Sequence, residues 1–324
     1  MTRLAKLVFV LSSVAAIALG AAQAQDWPNK PIRYIVPFAP GGATDMLGRM
    51  VAVGLSKSLG QSVIVDNKAG QGGSVGSAEL AKAKPDGYTL GGGTISSHAL
   101  NVALYPKLSY DPIKDFSPIT LLAALPNVLV VHPSLNVRTV AELVALLKAN
   151  PNKYSFGSAG NGTSQHISGE MFKLATGTQI QHVPYRGSGP MMIDLLAGTI
   201  QLSFENSNTA LPQANAAKLI ALAVTSAKRS KAALDIPTMQ EAGLTGYDLS
   251  SWQAMFAPAG TPPAIVARLQ KDVAEMLKQP DNIKKLAELG LEPGGGKPEE
   301  LAALIAAEIP RLGNVVRQSG AKVD

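Results

Sequence analysis

The stretch "IVPFAPGGATD", Ile35 to Asp45, sets an apolar run against two prolines and two glycines, then places an acid at the head of a helical period. Glycine opens backbone conformations closed to other residues and lets another group approach the main chain, whereas proline fixes φ and removes an N–H donor. A turn holding both is built to present backbone. It follows a predicted strand and precedes a predicted helix, Thr44–Leu59, so it offers free N–H groups at a helix N-terminus, where proteins hold anions. The donors expected to face a ligand are those of Ala39, Gly42, Ala43 and Thr44. Asp45 would compete with an anion there, so it is expected either to bond the loop's own N–H groups, hydroxyls or a water, or to act as a plain cap.

Around this turn, short β-rich runs alternate with longer helical periods: "IRYIV", the helix, "SVIVD", a helix over Ser74–Lys84, then "YTLGGG". A second series starts at "PNVLVVHP". It continues through a helix opened by Thr139 with Glu142 three residues on, a capping box, then "KYSFGSAGNG", a helix over Thr163–Ala175, "QIQHVPY", a helix over Pro190–Ala197, "IQLSF" and "LIALAVT". Such alternation predicts α/β units around a mostly parallel sheet, here as two α/β lobes. The C-terminal part reads as helical, with Thr261 expected to cap, Pro262 or Pro263 in the first turn, and Pro310 expected to kink or divide the last helix. No Gly/Ser/Pro-rich linker separates the lobes. The chain is therefore expected to cross between them in ordered segments near Leu121–Leu125 and Asp248–Gln253, giving one lobe of residues 25–122 plus 251–324 and a second of 123–250. Two crossings make a hinge, and a hinge makes a cleft.

Arg3 and Lys6, an apolar segment of about 16 residues and Ala22-Gln23-Ala24 form a secretory signal peptide over residues 1–24, too short for a spanning helix. The mature chain is expected to be a soluble monomer outside the cytoplasm. There is no cysteine, which excludes a lipidated cysteine, a disulfide framework and a thiol nucleophile. The net charge of +6 falls to about +4 once Arg3 and Lys6 leave, and the cations are scattered among few aromatics, so nucleic acid is not an expected partner. A mild positive field suits an anionic small molecule.

The second lobe repeats the opening device: "YSFGS", then "AGNG", then Thr163 to His166 at the head of a helix. Two such turns could grip one carboxylate from both sides. A helix N-terminus contributes about 0.3 to 1 kcal/mol to a nearby anion, whereas micromolar binding needs about 8. Backbone N–H bonds to the anion, at roughly 1.5 to 3 kcal/mol each in a closing cleft, must supply the remainder. Polar clusters at strand ends add candidates: Ser96 and Ser97 beside His98, Glu205 and Asn206 beside Ser207, and Arg186 ahead of a helix expected to be capped by Ser188. Gly72-Gly73-Ser74-Val75-Gly76 fits G-x-S-x-G, so a secreted serine hydrolase using Ser74 is the alternative function, although its turn is long and no histidine is marked as base. Gly70, Gly72 and Gly76 do not fill the dinucleotide spacing, so no cofactor is expected. His98, His132, His166 and His182 show no metal-binding spacing.

Taken in order, "WPNKPIRYIVPFAPGGATDMLGR", "VIVDNKAGQGGSVGSAELAKAKPDGYTL", "FGSAGNGTSQHISGEMF", "VPYRGSGPMMIDLLAG" and "KLIALAVTSAKRS" resemble the TctC-like Bug family, the periplasmic solute-binding receptors of tripartite tricarboxylate transporters. The resemblance spans essentially the whole mature chain and rests on PxxPGGxxD followed by GxGTxxH. It implies a type II periplasmic binding protein, not an enzyme, whose lobes close on a small organic carboxylate and hand it to membrane permease subunits. A receptor feeding a sensory partner would share every one of these residues. The first jaw would be Phe38 through Asp45. The second would be Ser158, Ala159 and Gly160 through Thr163 to His166. Where the family often carries lysine in "VPYKG" this chain has Arg186, and where it often carries aspartate before the asparagine it has Glu205.

Overall fold

The computed structural model describes residues 27–321, so the expected signal peptide lies outside the described residues. Ten strands form one continuous array in the order β2-β1-β3-β9-β4-β7-β5-β6, with β8 and β10 also pairing with β4. The first half holds β1 (Ile32–Val36), β2 (Val63–Asn67) and β3 (Thr89–Thr94), with helices α1 (Ala43–Leu59), α2 (Ser74–Ala81) and the short α3 (Asn101–Leu104) between and after them. The second half holds α4 (Val140–Ala149), β5 (Ser155–Ser158), α5 (Ser164–Thr176), β6 (Gln181–Pro184), α6 (Ser188–Leu196), β7 (Leu202–Asn206), α7 (Ser207–Asn215) and β8 (Ile220–Val224). After β9 (Ser250–Pro258) come α8 (Pro263–Leu277), α9 (Pro280–Glu288), β10 (Glu292–Pro293) and α10 (Pro298–Ser319), all returning to the first half apart from a face of α10.

The long strand β4 (Phe116–Val131) joins the halves. From Phe116 to Pro126 it runs antiparallel to β9, and from Asn127 to Val131 antiparallel to β7 and β8. The expected mostly parallel sheet is thus parallel only within each half, as in β2-β1-β3 and β7-β5-β6. The reason is connectivity: one strand leaves the first half and the other returns, so the two neighbours must point opposite ways.

Burial on both faces explains why the strands read as apolar runs. Tyr34, Val36, Leu47, Val51, Leu55, Leu269 and Val273 pack α1 and α8 on one face of the first sheet, while Leu80, Leu100, Phe256, Leu301, Leu312 and Val316 fill the other under α2, α3 and α10. The second sheet has the same two layers, around Phe156, Phe172 and Phe204 on one face and Met191, Leu195 and Leu211 on the other. In α1 the apolar residues Leu47, Val51 and Leu55 recur every fourth position, and Gly60 ends the helix at φ 67°.

Three local expectations are corrected. Thr261 does not cap α8; its hydroxyl donates to the Pro258 carbonyl and Pro262 occupies the cap position. Ser188 lies inside α6 after Gly187, with its hydroxyl given to Glu205. Of the two outcomes expected at Pro310, division does not occur: α10 runs on through it, because Ile305, Leu312 and Val316 continue one buried face past it and packing outweighs the single lost bond. The α4 capping box is present with one change: Thr139 Oγ1 accepts from the Glu142 N–H, but Glu142 Oε2 accepts from Arg138 rather than from the cap residue. Among the described residues no helix is long and apolar enough to cross a membrane.

Candidate functional site

The turn between β1 and α1 spends its donors selectively. Gly41, at φ 98°, gives its N–H to Asp45 Oδ2 at 3.1 Å. Asp45 also accepts from Arg49 (3.0 Å) and from the Asn67 amide (2.9 Å). Burial alone would raise the Asp45 carboxyl, but the hydrogen bonds from Arg49, Asn67 and Gly41 outweigh it and hold the group below the usual aspartate value. Asp45 therefore locks the loop from behind. Gly42 caps α1 in extended conformation and, being glycine, supplies no side-chain acceptor, so the first-turn N–H groups of Ala43 and Thr44 stay unspent by a cap. Thr44 Oγ1 donates to Gln253 Oε1 at 2.7 Å, fixing a side chain that comes from the crossing strand β9.

Replacing Asp45 with alanine should cost about 1–3 kcal/mol, because the Gly41 and Asn67 donors lose their acceptor, and urea unfolding will measure it. The depressed carboxyl also sets a sign. Its contribution is whole above the ordinary aspartate value near 3.9 and is lost as pH falls through the lower folded value, so the wild type should shed this increment in acid while Asp45→Ala does not.

The second jaw, between β5 and α5, is braced in a similar way. Thr163 caps α5, its hydroxyl accepting from the His166 N–H and donating to Gly160 O at 2.7 Å. Gly162 N donates to His166 Nδ1 at 3.2 Å, and Ser158 Oγ lies 2.6 Å from His182 Nε2. The rings of His166 and His182 stack 4.0 Å apart, and burial first, then Lys173, pushes His166 down to about 4. His182 falls to about 3 through burial and then His166. Both rings are therefore neutral at neutral pH and act as braces for the loop.

Two further helix starts reach the same space. α6 begins at Gly187 and α7 at Asn206, each without a side-chain cap. The four helix N-termini surround a small cleft of about 320 Å³, counting its open mouth. Its wall is made by Phe38, Gly42, Ala43, Thr44, Ala159, Thr163, Ser188 and Asn206, completed by Thr94, Ser96, Ser164, Gln165, Ser251 and Gln253. No lysine, arginine, histidine or acid is in that wall. Of the sixteen residues expected from sequence, Phe38, Gly42, Ala43, Thr44, Ser96, Ala159, Thr163 and Asn206 line it. Ala39 is spent on the Arg186 carbonyl (3.1 Å), and the Arg186 side chain is exposed. Ser97 bonds His98 Nδ1, Asp45, Ser158, Gly160 and His166 support the loops, and Glu205 lies behind Ser188. The wall residues outside the sixteen are Thr94, Ser164, Gln165, Ser188, Ser251 and Gln253; for the last two the signal was present as polar residues at alternate positions of a strand that is apolar from Ala254 on.

The halves touch across this cleft. A Cβ built on Gly41 would lie 3.3 Å from Gly189 Cα, and one on Gly42 would lie 3.3 Å from Ser188 Cβ. At the other end Gly72, at φ 57°, faces Asn161 O, and Tyr105 Oη donates to the same carbonyl at 3.2 Å. Ser74, the hydrolase candidate, is buried with its hydroxyl near Asn101 Nδ2 (2.8 Å) and Tyr110 Oη (3.4 Å) rather than beside a histidine.

Residues 47–321 match the family model described as the TctC tripartite tricarboxylate transporter family receptor. The chain belongs to this family. Among TctC relatives, protein BugT of Bordetella pertussis is 37% identical over 324 residues, covering 100% of this chain and 99% of BugT. A solved R. palustris protein with adipate shares 40% identity at a TM-score of 0.89, over 92% of this chain and 100% of that one. MatC of Rhodopseudomonas palustris, solved with bound malate, shares 32% identity at 0.85, over 90% of this chain and 100% of that one. The α/β architecture of this TctC receptor is that of periplasmic binding proteins.

Proposed function

We propose that this TctC-family receptor captures a small dicarboxylate between two lobes, residues 25–122 plus 251–324 and residues 123–250, and delivers it in the periplasm to the permease subunits of a tripartite transporter. The observation that carries the reading is the convergence of four helix N-termini on a wall without charged side chains. Each terminus contributes about 0.3–1 kcal/mol to an anion, rising to about 2 when partly buried. Direct bonds from N–H groups such as those of Ala43, Thr44, Ser164 and Gln165 would add about 1.5–3 each. Together these reach the roughly 8 kcal/mol of micromolar binding without a salt bridge. The adipate and malate held by relatives are both dicarboxylates and support the class.

Calorimetry with mono-, di- and aromatic carboxylates beside neutral solutes of matched size provides the test. A dicarboxylate should bind and raise the melting temperature; stabilisation by neutral solutes alone would overturn the reading. Delivery is tested separately, by uptake of the bound acid into vesicles holding the permease subunits with and without this receptor.

A further inference from the structure

Glu205 is the penultimate residue of β7, fully buried, and set beside the cleft by its neighbours. Its Oε1 accepts from Ser188 Oγ and Thr209 Oγ1, both at 2.7 Å, while Oε2 has no partner and is sealed from solvent. Ser188 lines the cleft, as do Asn206, next in the chain, and Gln165, whose amide donates to Ser188 Oγ at 3.4 Å. The carboxyl thus stands one side chain behind the ligand wall.

Among the described residues no cation compensates it. The groups that face it are the Ser188 hydroxyl from α6, the Thr209 hydroxyl from α7, the Gln165 amide from α5 and the Asn206 N–H, and across the sheet its register partner on β4 is Val128. An ionised carboxylate here would be a buried charge with one oxygen unserved, an expensive arrangement. Burial, the largest influence, raises the Glu205 carboxyl above the ordinary glutamate value despite those hydrogen bonds.

We infer that Glu205 is the charge selector of the cleft: as a neutral acid it permits a dianion, and as a carboxylate it rejects one. This rests on the dicarboxylate reading above. A dianion entering the cleft places negative charge next to the Ser188–Glu205 pair, so the complex holds the proton more tightly than the empty protein does. Binding is then linked to proton uptake, with a definite sign. Dianion affinity is highest while Glu205 is protonated and falls as pH rises through its value in the empty protein, by up to tenfold per pH unit until the value in the complex is reached. His166 and His182, lowered to about 4 and about 3, are neutral around neutral pH and above and do not imitate the effect there.

The test is isothermal calorimetry with adipate and, as its singly charged counterpart, adipic acid monoamide, between about pH 6 and 9, where free dicarboxylates are ionised. In the wild type adipate should weaken with rising pH while the monoamide holds steady. In Glu205→Gln, which keeps the shape and a donor but cannot ionise, the adipate profile should be flat. Titrations in buffers of different ionisation enthalpy should show proton uptake by the wild type where adipate weakens and none by the variant, a readout that does not depend on the variant's stability alone. An adipate profile shared by wild type and Glu205→Gln, or wild-type binding without proton exchange across the whole range, overturns the Glu205 assignment while leaving the dicarboxylate reading intact. Failure of every dicarboxylate to bind at any pH removes that reading itself.

Discussion

Gly189→Ala should fold as well as the wild type and bind its ligand roughly 10- to 100-fold more weakly. A Cβ at Gly189 would stand 2.2 Å from the Pro40 carbonyl oxygen, a backbone atom in the opposite lobe. Backbone cannot rotate away as a flexible side chain can, so the two jaws must stay further apart. The position is the second residue of α6, where alanine is a better helix former than glycine, and ligand-free stability should change by no more than about 0.5 kcal/mol. Overpacking in a close contact costs about 1–3 kcal/mol, and each 1.4 kcal/mol is a factor of ten in Kd. Under the proposed capture between two lobes, the penalty falls on the ligand-bound form and so on binding rather than folding. Calorimetry beside thermal unfolding of the ligand-free protein separates the two; unchanged affinity in Gly189→Ala would show that the ligand is held without this approach of the lobes.

Phe156→Ala is expected to have the largest effect on stability, about 3–5 kcal/mol lost. The ring is fully buried in β5, packs edge-on to Phe204 at 6.3 Å and stacks on His182 at 4.8 Å. It also fills the space that makes residue 169 of α5 a glycine, since a Cβ there would lie 2.1 Å from the ring. Removing the ring leaves a cavity under the second jaw, two residues before Ser158, so ligand affinity should fall along with the urea midpoint. A midpoint shift below about 1 kcal/mol would mean that α5 collapses onto the sheet and that Phe156 is not a keystone of this half.

The fold was largely legible in the sequence because its signals are local. Strand–turn–helix alternation, Thr139 as a cap, and two glycine turns in corresponding places all act within a few residues. The cleft was only half legible. Ser96 and Ser97 are adjacent, as are Glu205 and Asn206, yet one of each pair lines the wall and the other stands behind it. Direction depends on how the loop is braced from a distance. The opening glycines show the same limit. Sequence reasoning assigned Gly41 and Gly42 to the approach of an anion and did not foresee that a Cβ on either would meet the second half, Gly41 against Gly189 and Gly42 against Ser188. A contact between lobes leaves no mark within either segment.

The jaws meet through glycine, a peptide N–H and peptide carbonyls, in the Gly41–Gly189 contact and the Ala39-to-Arg186 bond. Main chain is the same whatever side chains a sequence carries, so these two contacts place no demand on the residues that line the interior. Ser96 and Ser251 line the wall and take no part in these contacts, whereas Gln253 is tied to Thr44 and Thr94 to the Ser96 N–H. Under the proposed function, redesign of ligand preference should therefore begin at Ser96 and Ser251 and leave the glycines alone.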